Sequence, residues 1–226
     1  AYKRRSGSGD SAGSGVGLSE QRDTAEQGTE AQALSSVCMG PMDMGGVQDG
    51  RDAPMPDAER ALLDAIGKAP VFSRGSLLRY AALNAKPGIA CEFGVFGGAS
   101  LSQIRNYRKP PVFGFDSWKG LPAAWNIASD VTYEAGHFAR DKPTDFATGV
   151  QLVEGWFNET IPQWLAETEG AIQMLHVDCD LYWSCKDVLF GLNDRLVEGT
   201  IIVFDELCNF GDGYYEYWAF GEWKAL

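Results

Sequence analysis

Five short apolar segments, residues 89–92, 112–116, 150–154, 172–178 and 200–205, each run directly into an acid: Glu92, Asp116, Glu154, Asp178 and Asp205. Continuous runs of this kind, separated by stretches long enough to hold a helix, read as buried strands of a parallel sheet. Alternating strands and helices give an α/β, doubly wound sheet with right-handed crossovers. Ligands of such sheets sit beyond the carboxyl ends of the strands, so five acids at five strand ends are expected to converge on one crevice. Each acid taken singly has a plainer reading, as a helix cap or a solvated strand end. Their repetition favours a functional cluster. Only five strands fit, so the sheet reads as truncated after the fifth, with any further strands beyond Leu226.

The chain is not uniform along its length. No aromatic residue occurs between Tyr2 and Phe72, and residues 1–50 are dominated by Gly, Ser, Ala, Gln and Asp. Such a stretch buries too little apolar surface to offset its ordering entropy. Residues 1–53 therefore read as a disordered or low-complexity linker and 54–226 as the folded domain. The net charge of −12 argues against nucleic acid, whose phosphates are bound by clustered Lys and Arg; Lys3-Arg4-Arg5 reads as part of a solvated tail. No apolar run is long enough for a membrane helix. The five cysteines, Cys38, Cys91, Cys179, Cys185 and Cys208, form no CxxC pair. That spacing suits neither a disulfide framework nor a zinc site, and the expected setting is reducing and cytoplasmic.

Leu62, Leu63 and Ile66 predict one helix, and Leu77, Leu78, Ala81 and Ala82 a second that ends before Lys86-Pro87-Gly88. After strand one, Leu101, Ile104 and Arg108 lie on a helix that stops before Pro110-Pro111. Residues 117–149, with Trp118, Trp125, Tyr133, Phe138 and Phe146, form a long segment that can cover the crevice as a lid or pack as a satellite core. Pro162 is expected in the first turn of the helix after strand three. The following helix shows a buried stripe at Cys185, Val188, Leu189, Leu192 and Leu196, and Gly199 stops it. Residues 214–226 begin a last helix. His176 reads as a hydrogen-bonded core residue and His137 as a solvated loop residue.

The turn from Glu92 to Ser100, EFGVFGGAS, follows strand one and opens a helix, where glycines let a ligand approach the backbone. It is neither a P-loop nor GxGxxG, and it opens on an acid, which repels phosphate and suits a cationic ligand. Asp116 ends strand two, where a carboxylate can take both hydroxyls of a ribose. Together these imply a nucleoside carrying positive charge, and S-adenosylmethionine meets both demands.

Five ordered motifs then carry a family likeness: EFGVFGG from Glu92, GFDSWKGLP from Gly114, GWFNETIP from Gly155, VDCDLY from Val177, and Phe204-Asp205-Glu206. They resemble the signatures of class I methyltransferases of the macrocin O-methyltransferase (TylF-like) family. The resemblance covers residues 87–226 and implies a Rossmann-like fold. It implies that Glu92, Gly94, Phe96, Gly97 and Ser100 hold the methionine moiety, and that Asp116 with Ser117 and Trp118 holds the ribose. Gly155, Trp156 and Phe157 would flank the adenine, although Trp156 reads equally as a core aromatic. It further implies a divalent cation, typically magnesium, on Asp178, Asp205 and Glu206, with Asp178 also lining the cofactor site and Asp178 or Asp180 as general base. Asp180 can instead cap the next helix. Glu206 departs from the second Asp that the family's sugar methyltransferases tend to carry. The expected activity is methylation of a hydroxyl on a sugar-bearing or other small polyhydroxylated molecule, and a homodimer is a family-level expectation. The competing reading is a catalytically inactive or truncated Rossmann-like domain that binds a nucleoside or serves in assembly.

Overall fold

The computed structural model describes residues 57–69, 72–208 and 215–226. The chain divides into two units, Ala1–Val71 and Phe72–Leu226. The first contains helix α1 (Asp57–Lys68), with acids in its first turn and Lys68 in its last, as the helix dipole favours. The linker expected over residues 1–53 lies outside the described residues.

The second unit begins with α2 (Arg74–Asn84), capped by Ser73, whose Oγ accepts the Ser76 N–H. Then follow β1 (Ile89–Phe93), α3 (Ala99–Tyr107), β2 (Val112–Asp116), the hairpin β3 (Trp125–Ala128) and β4 (Val131–Tyr133), and β5 (Val150–Glu154). After these come α4 (Phe157–Glu167), β6 (Ile172–Val177), α5 (Tyr182–Gly191), β7 (Leu196–Phe204) and the short α6 (Glu222–Ala225). The five main strands are parallel in the order β5-β2-β1-β6-β7. The order reverses between β1 and β6, so the switch point, where open α/β sheets bind ligands, lies at the carboxyl ends of those two strands.

Both faces are covered, as all-parallel sheets require. On one side Phe93, Phe113, Phe115, Leu175 and Val177 pack under Ile161 and Trp164 of α4, Cys185 and Val188 of α5, and Leu192 at that helix's C-cap. On the other, Ala90, Val112, Met174 and Val203 meet Leu78, Ala81 and Ala82 of α2 and Leu101 and Ile104 of α3. Burying each large apolar side chain contributes about 1.5–3 kcal/mol before entropy is subtracted.

Several local expectations are corrected. Pro162 sits inside α4 rather than in its first turn. The helix expected to run to Gly199 ends at Gly191, and β7 starts at Leu196. Arg195 fixes this early stop by donating to the carbonyls of Leu165, Thr168 and Gly170. Gly199, at φ +92°, instead lies where the β6–β7 register slips. Within the expected last helix, only Glu222–Ala225 is α-helical among the described residues. The long segment after β2 contains the β3–β4 hairpin, and its aromatics divide. Trp125, Tyr133 and Phe138 join Leu121, Ile127 and Tyr215 in a satellite core, whereas Trp118 and Phe146 pack with the α2–α3 side of the sheet. Cys91, Cys179, Cys185 and Cys208 are free thiols. No helix among the described residues is long and apolar enough to cross a membrane.

Candidate active site

Parallel register sets the site. Phe93 pairs with both Phe115 and Val177, and Val177 with Phe204. The pairing continues one residue further: Gly94 N–H bonds Phe115 O at 2.9 Å, Asp178 N–H bonds Phe93 O at 2.9 Å, and Asp205 N–H bonds Val177 O at 2.9 Å. Gly94, Asp178 and Asp205 therefore stand in one row across the strand ends.

The turn after β1 is held in an uncommon conformation. Phe96 and Trp118 both have positive φ, +50° and +53°, a cost that persists only where the surroundings impose it. Asp116 imposes it: Oδ2 accepts the Phe96 N–H and Oδ1 the Trp118 N–H, each at 2.7 Å. The Trp118 indole closes the loop by donating to Phe96 O at 3.0 Å. Asp116 is half-buried at the crevice and thus already clamps the turn around which the resemblance places a ribose. Gly98, at φ +77°, is the N-cap of α3, and Ser100 is half-buried in that helix's first turn. Arg140 lies over this turn, its guanidinium 4.4 Å from the centre of the Phe96 ring. A Cβ on Gly97 would meet it at 2.6 Å. Ser117 is buried, with Oγ accepting the Lys119 N–H. One strand further out, Gly155 N–H bonds Asp116 O at 3.0 Å, Trp156 forms the N-cap of α4, and Phe157 packs edge-on against Phe93.

The five strand-end acids do not form one cluster. Glu154 is exposed on the edge strand and pairs with Lys142 at 3.1 Å. Glu92 is also not the charge facing the crevice that the sequence suggested. It lies two residues short of the row, fully buried, with Oε1 bonded to His176 Nδ1 at 2.7 Å. His176 Nε2 in turn faces Asp205 Oδ1 at 3.6 Å. Burial alone would lower the imidazole pKa, but the carboxylates of Asp205 and Glu92 outweigh it and push it up to about 10. The fully buried Glu92–His176 pair should matter to the fold. His176→Leu leaves a buried carboxylate without its cation, and we expect a loss of about 3–5 kcal/mol in chemical denaturation. Adding Glu92→Leu should recover much of it, and additive losses would contradict the pairing.

Arg74 at the start of α2 completes the arrangement. Its Nε donates to Asp205 Oδ1 at 2.6 Å and its Nη2 to Asp178 Oδ2. Burial would raise the Asp205 pKa, but His176 and Arg74 hold it well below the usual carboxylate range. Asp178 is pushed up, by burial first and then by Asp205. Glu206 is pushed well up by burial and by Asp180 and Asp178. The expected ligand trio of Asp178, Asp205 and Glu206 is thus divided. Oxygens of Asp178 and Asp205 with a nitrogen of His176 lie within 4.8 Å of one another, and so do oxygens of Asp178, Asp180 and Glu206, with Asp178 common to both groups. Glu206 is positioned separately: its N–H bonds the buried Glu222 at 3.0 Å. Asp180, at φ +63°, does not cap α5, whose N-cap is Leu181 with no side-chain bond. His137 is exposed and stacks on Tyr133.

Arg74, Glu222 and Arg140 were not anticipated from sequence. Arg74 lies 104 and 131 residues from its two partners, and no local pattern encodes such a pairing.

No curated protein matches the sequence. Among solved structures, the chain is similar to the calicheamicin methyltransferase CalS11, with 26% identity, a TM-score of 0.53, and coverage of 80% of this chain and 89% of that one. An apo structure of CalS11, described as a TDP-rhamnose 3'-O-methyltransferase of calicheamicin biosynthesis, shares 26% identity over 77% of each chain with a TM-score of 0.45. The O-methyltransferase NovP shares 21% identity over 58% of this chain and 64% of its own, with a TM-score of 0.43. A family model described as a methyltransferase domain matches residues 91–207, more than half of the chain, and spans the glycine turn, the Asp116 clamp and the acids after β6 and β7. The chain therefore belongs to the methyltransferase domain family, as an S-adenosylmethionine-dependent methyltransferase on a Rossmann-like sheet.

Proposed function

We propose that this enzyme is an O-methyltransferase of the macrocin (TylF-like) type, assisted by a divalent cation such as magnesium. Its acceptor would be a hydroxyl of a sugar-bearing or other small polyhydroxylated molecule, not a nucleic acid. The observation that carries this reading is the set of carboxylates, Asp178, Asp180, Asp205 and Glu206, gathered at the switch point beside the glycine turn. Likeness to CalS11 supports the sugar-bearing acceptor.

S-adenosylmethionine supplies the methyl group on a sulfonium. In this reading the Gly94–Gly98 turn takes its methionine moiety against the backbone, Asp116 its ribose, and Gly155, Trp156 and Phe157 its adenine. The acids suit a hard cation, which prefers carboxylate oxygens. One cation already stands there, since the Arg74 guanidinium bridges Asp178 and Asp205. Asp178 would be the shared ligand, with Asp205 on one side and Glu206 on the other. A bound divalent cation would lower the pKa of the acceptor hydroxyl. Asp180 would then take the proton, because Asp178 is committed to the Arg74 guanidinium and is common to both groups of acids. The aromatic segment after β2 keeps water from a reaction in which opposite charges disappear.

Calorimetric titration with S-adenosylhomocysteine tests the cofactor assignment. We expect saturable binding, weakened at least about tenfold in Asp116→Ala, which also orphans two backbone N–H groups and loses about 1–3 kcal/mol of stability. Absence of binding by the folded wild type would sink the assignment, and undiminished affinity in the variant would remove Asp116 from it.

A further inference from the structure

Arg74 occupies the ground a metal ion would need. One guanidinium reaches Asp178 and Asp205 at once, through Nη2 and Nε, and its side chain is 41% exposed whereas those of the acids are 11% and 6% exposed. The arginine therefore enters from the solvent side and seals the two carboxylates. Carboxylates that must wait for a metal repel one another, and a guanidinium fork is suited to neutralising two of them together.

We propose that Arg74 is a resident counter-ion competing with the divalent cation for Asp178 and Asp205, so that metal binds only by displacing the guanidinium toward solvent. The inference rests on the metal-assisted reading above. The monovalent guanidinium and a divalent ion cannot share these oxygens, because the two cations would face each other at contact distance with little water between them. Displacement requires no unfolding. Arg74 is the first residue of α2, and the helix start is held independently by the Ser73 cap and by the Leu77 N–H bond to Ser73 O at 2.8 Å. Rotation about the side-chain bonds alone can withdraw the charge. Two consequences follow: the acids stay ordered without metal, and metal affinity is weaker than the carboxylates alone would give.

The test is binding, not turnover. The full chain and its Arg74→Gln and Arg74→Lys variants are titrated with Mn2+, read by electron paramagnetic resonance, with S-adenosylhomocysteine calorimetry on the same samples. Arg74→Gln should bind Mn2+ about tenfold more tightly or better, as expected when a competing charge is removed. Arg74→Lys, which keeps the charge but cannot fork both acids, should fall between. If Arg74→Gln fails to fold, Arg74→Lys decides: affinity no tighter than wild type overturns the proposal. Adding Mg2+ to 15N-labelled wild type should also shift or broaden away the Arg74 Nε–H resonance, identified by its loss in a variant. An Nε–H signal unchanged at saturating Mg2+ would overturn the exchange while leaving metal binding intact. Absence of Mn2+ binding in every variant would overturn both the exchange and the metal reading, whereas retained S-adenosylhomocysteine binding would leave the cofactor assignment standing.

Discussion

Replacing Asp180 with Asn should lower kcat by roughly a hundred- to ten-thousand-fold, the usual contribution of a positioned general base, while S-adenosylhomocysteine affinity changes little. Asn is the informative substitution because Asp180 has φ +63°, a left-handed conformation that Asn tolerates better than other L-residues. Asp180→Ala would add a backbone cost to the lost carboxylate and blur the reading. Asp180→Asn keeps size and backbone and removes the proton acceptor. Circular dichroism and calorimetry with S-adenosylhomocysteine would verify an intact fold and cofactor site, and single-turnover methyl transfer would report the chemistry. A variant with near-wild-type turnover would take the base away from Asp180. Asp178 would then be the candidate, despite the cation it already holds.

The sequence was readable where chemistry is local. Apolar runs ending in Asp116, Asp178 and Asp205 announce buried parallel strands because a strand covered on both faces cannot alternate polar and apolar residues. Glycine spacing after Glu92 marks a turn because Gly94 and Gly98 take positive φ there, which glycine does without steric cost. Register does the rest, aligning Gly94, Asp178 and Asp205 across three strands.

What failed was anything set by side-chain direction or by distant partners. Glu92 looked like a charge at the crevice, yet it sits two residues before the row and is buried against His176, 84 residues away. Asp205 and Glu206 are consecutive and looked like a ligand pair. Their side chains part where the chain bends after β7: Asp205 turns to Arg74 and His176, while Glu206 joins Asp178 and Asp180. Arg74 carries no signal of its own, because a helix-starting arginine is ordinary until the fold brings acids to it. The same holds for Arg108, whose guanidinium is spent on the carbonyls of Ala85, Lys86 and Gly88.

Gly94→Ala should be the most damaging single substitution in the turn, costing at least about 4 kcal/mol, a range reached only by a few mechanisms such as overpacking and backbone strain. Gly94 has φ +95°, and a Cβ there would lie 1.7 Å from the carbonyl oxygen of Asp178 and 2.8 Å from its carbonyl carbon. Neither atom can yield, because they belong to the backbone of the neighbouring strand end, whose Asp178 N–H is bonded to Phe93 O. The methyl group would have to push β1 and β6 apart at the switch point. That separation would break the row on which the acids stand and would misalign the turn clamped by Asp116. Scanning calorimetry should show a fall in Tm of roughly 8–16 °C for a chain of this size, and S-adenosylhomocysteine binding should be lost with it. Gly67→Ala serves as the control. Its Cβ would meet nothing within 4 Å, and it lies in helix α1, where alanine is favoured by about 0.5–1 kcal/mol. A Gly94→Ala protein with wild-type Tm would show that the ends of β1 and β6 are not in the close contact described. The placement of Asp178 beside the glycine turn would fall with that contact.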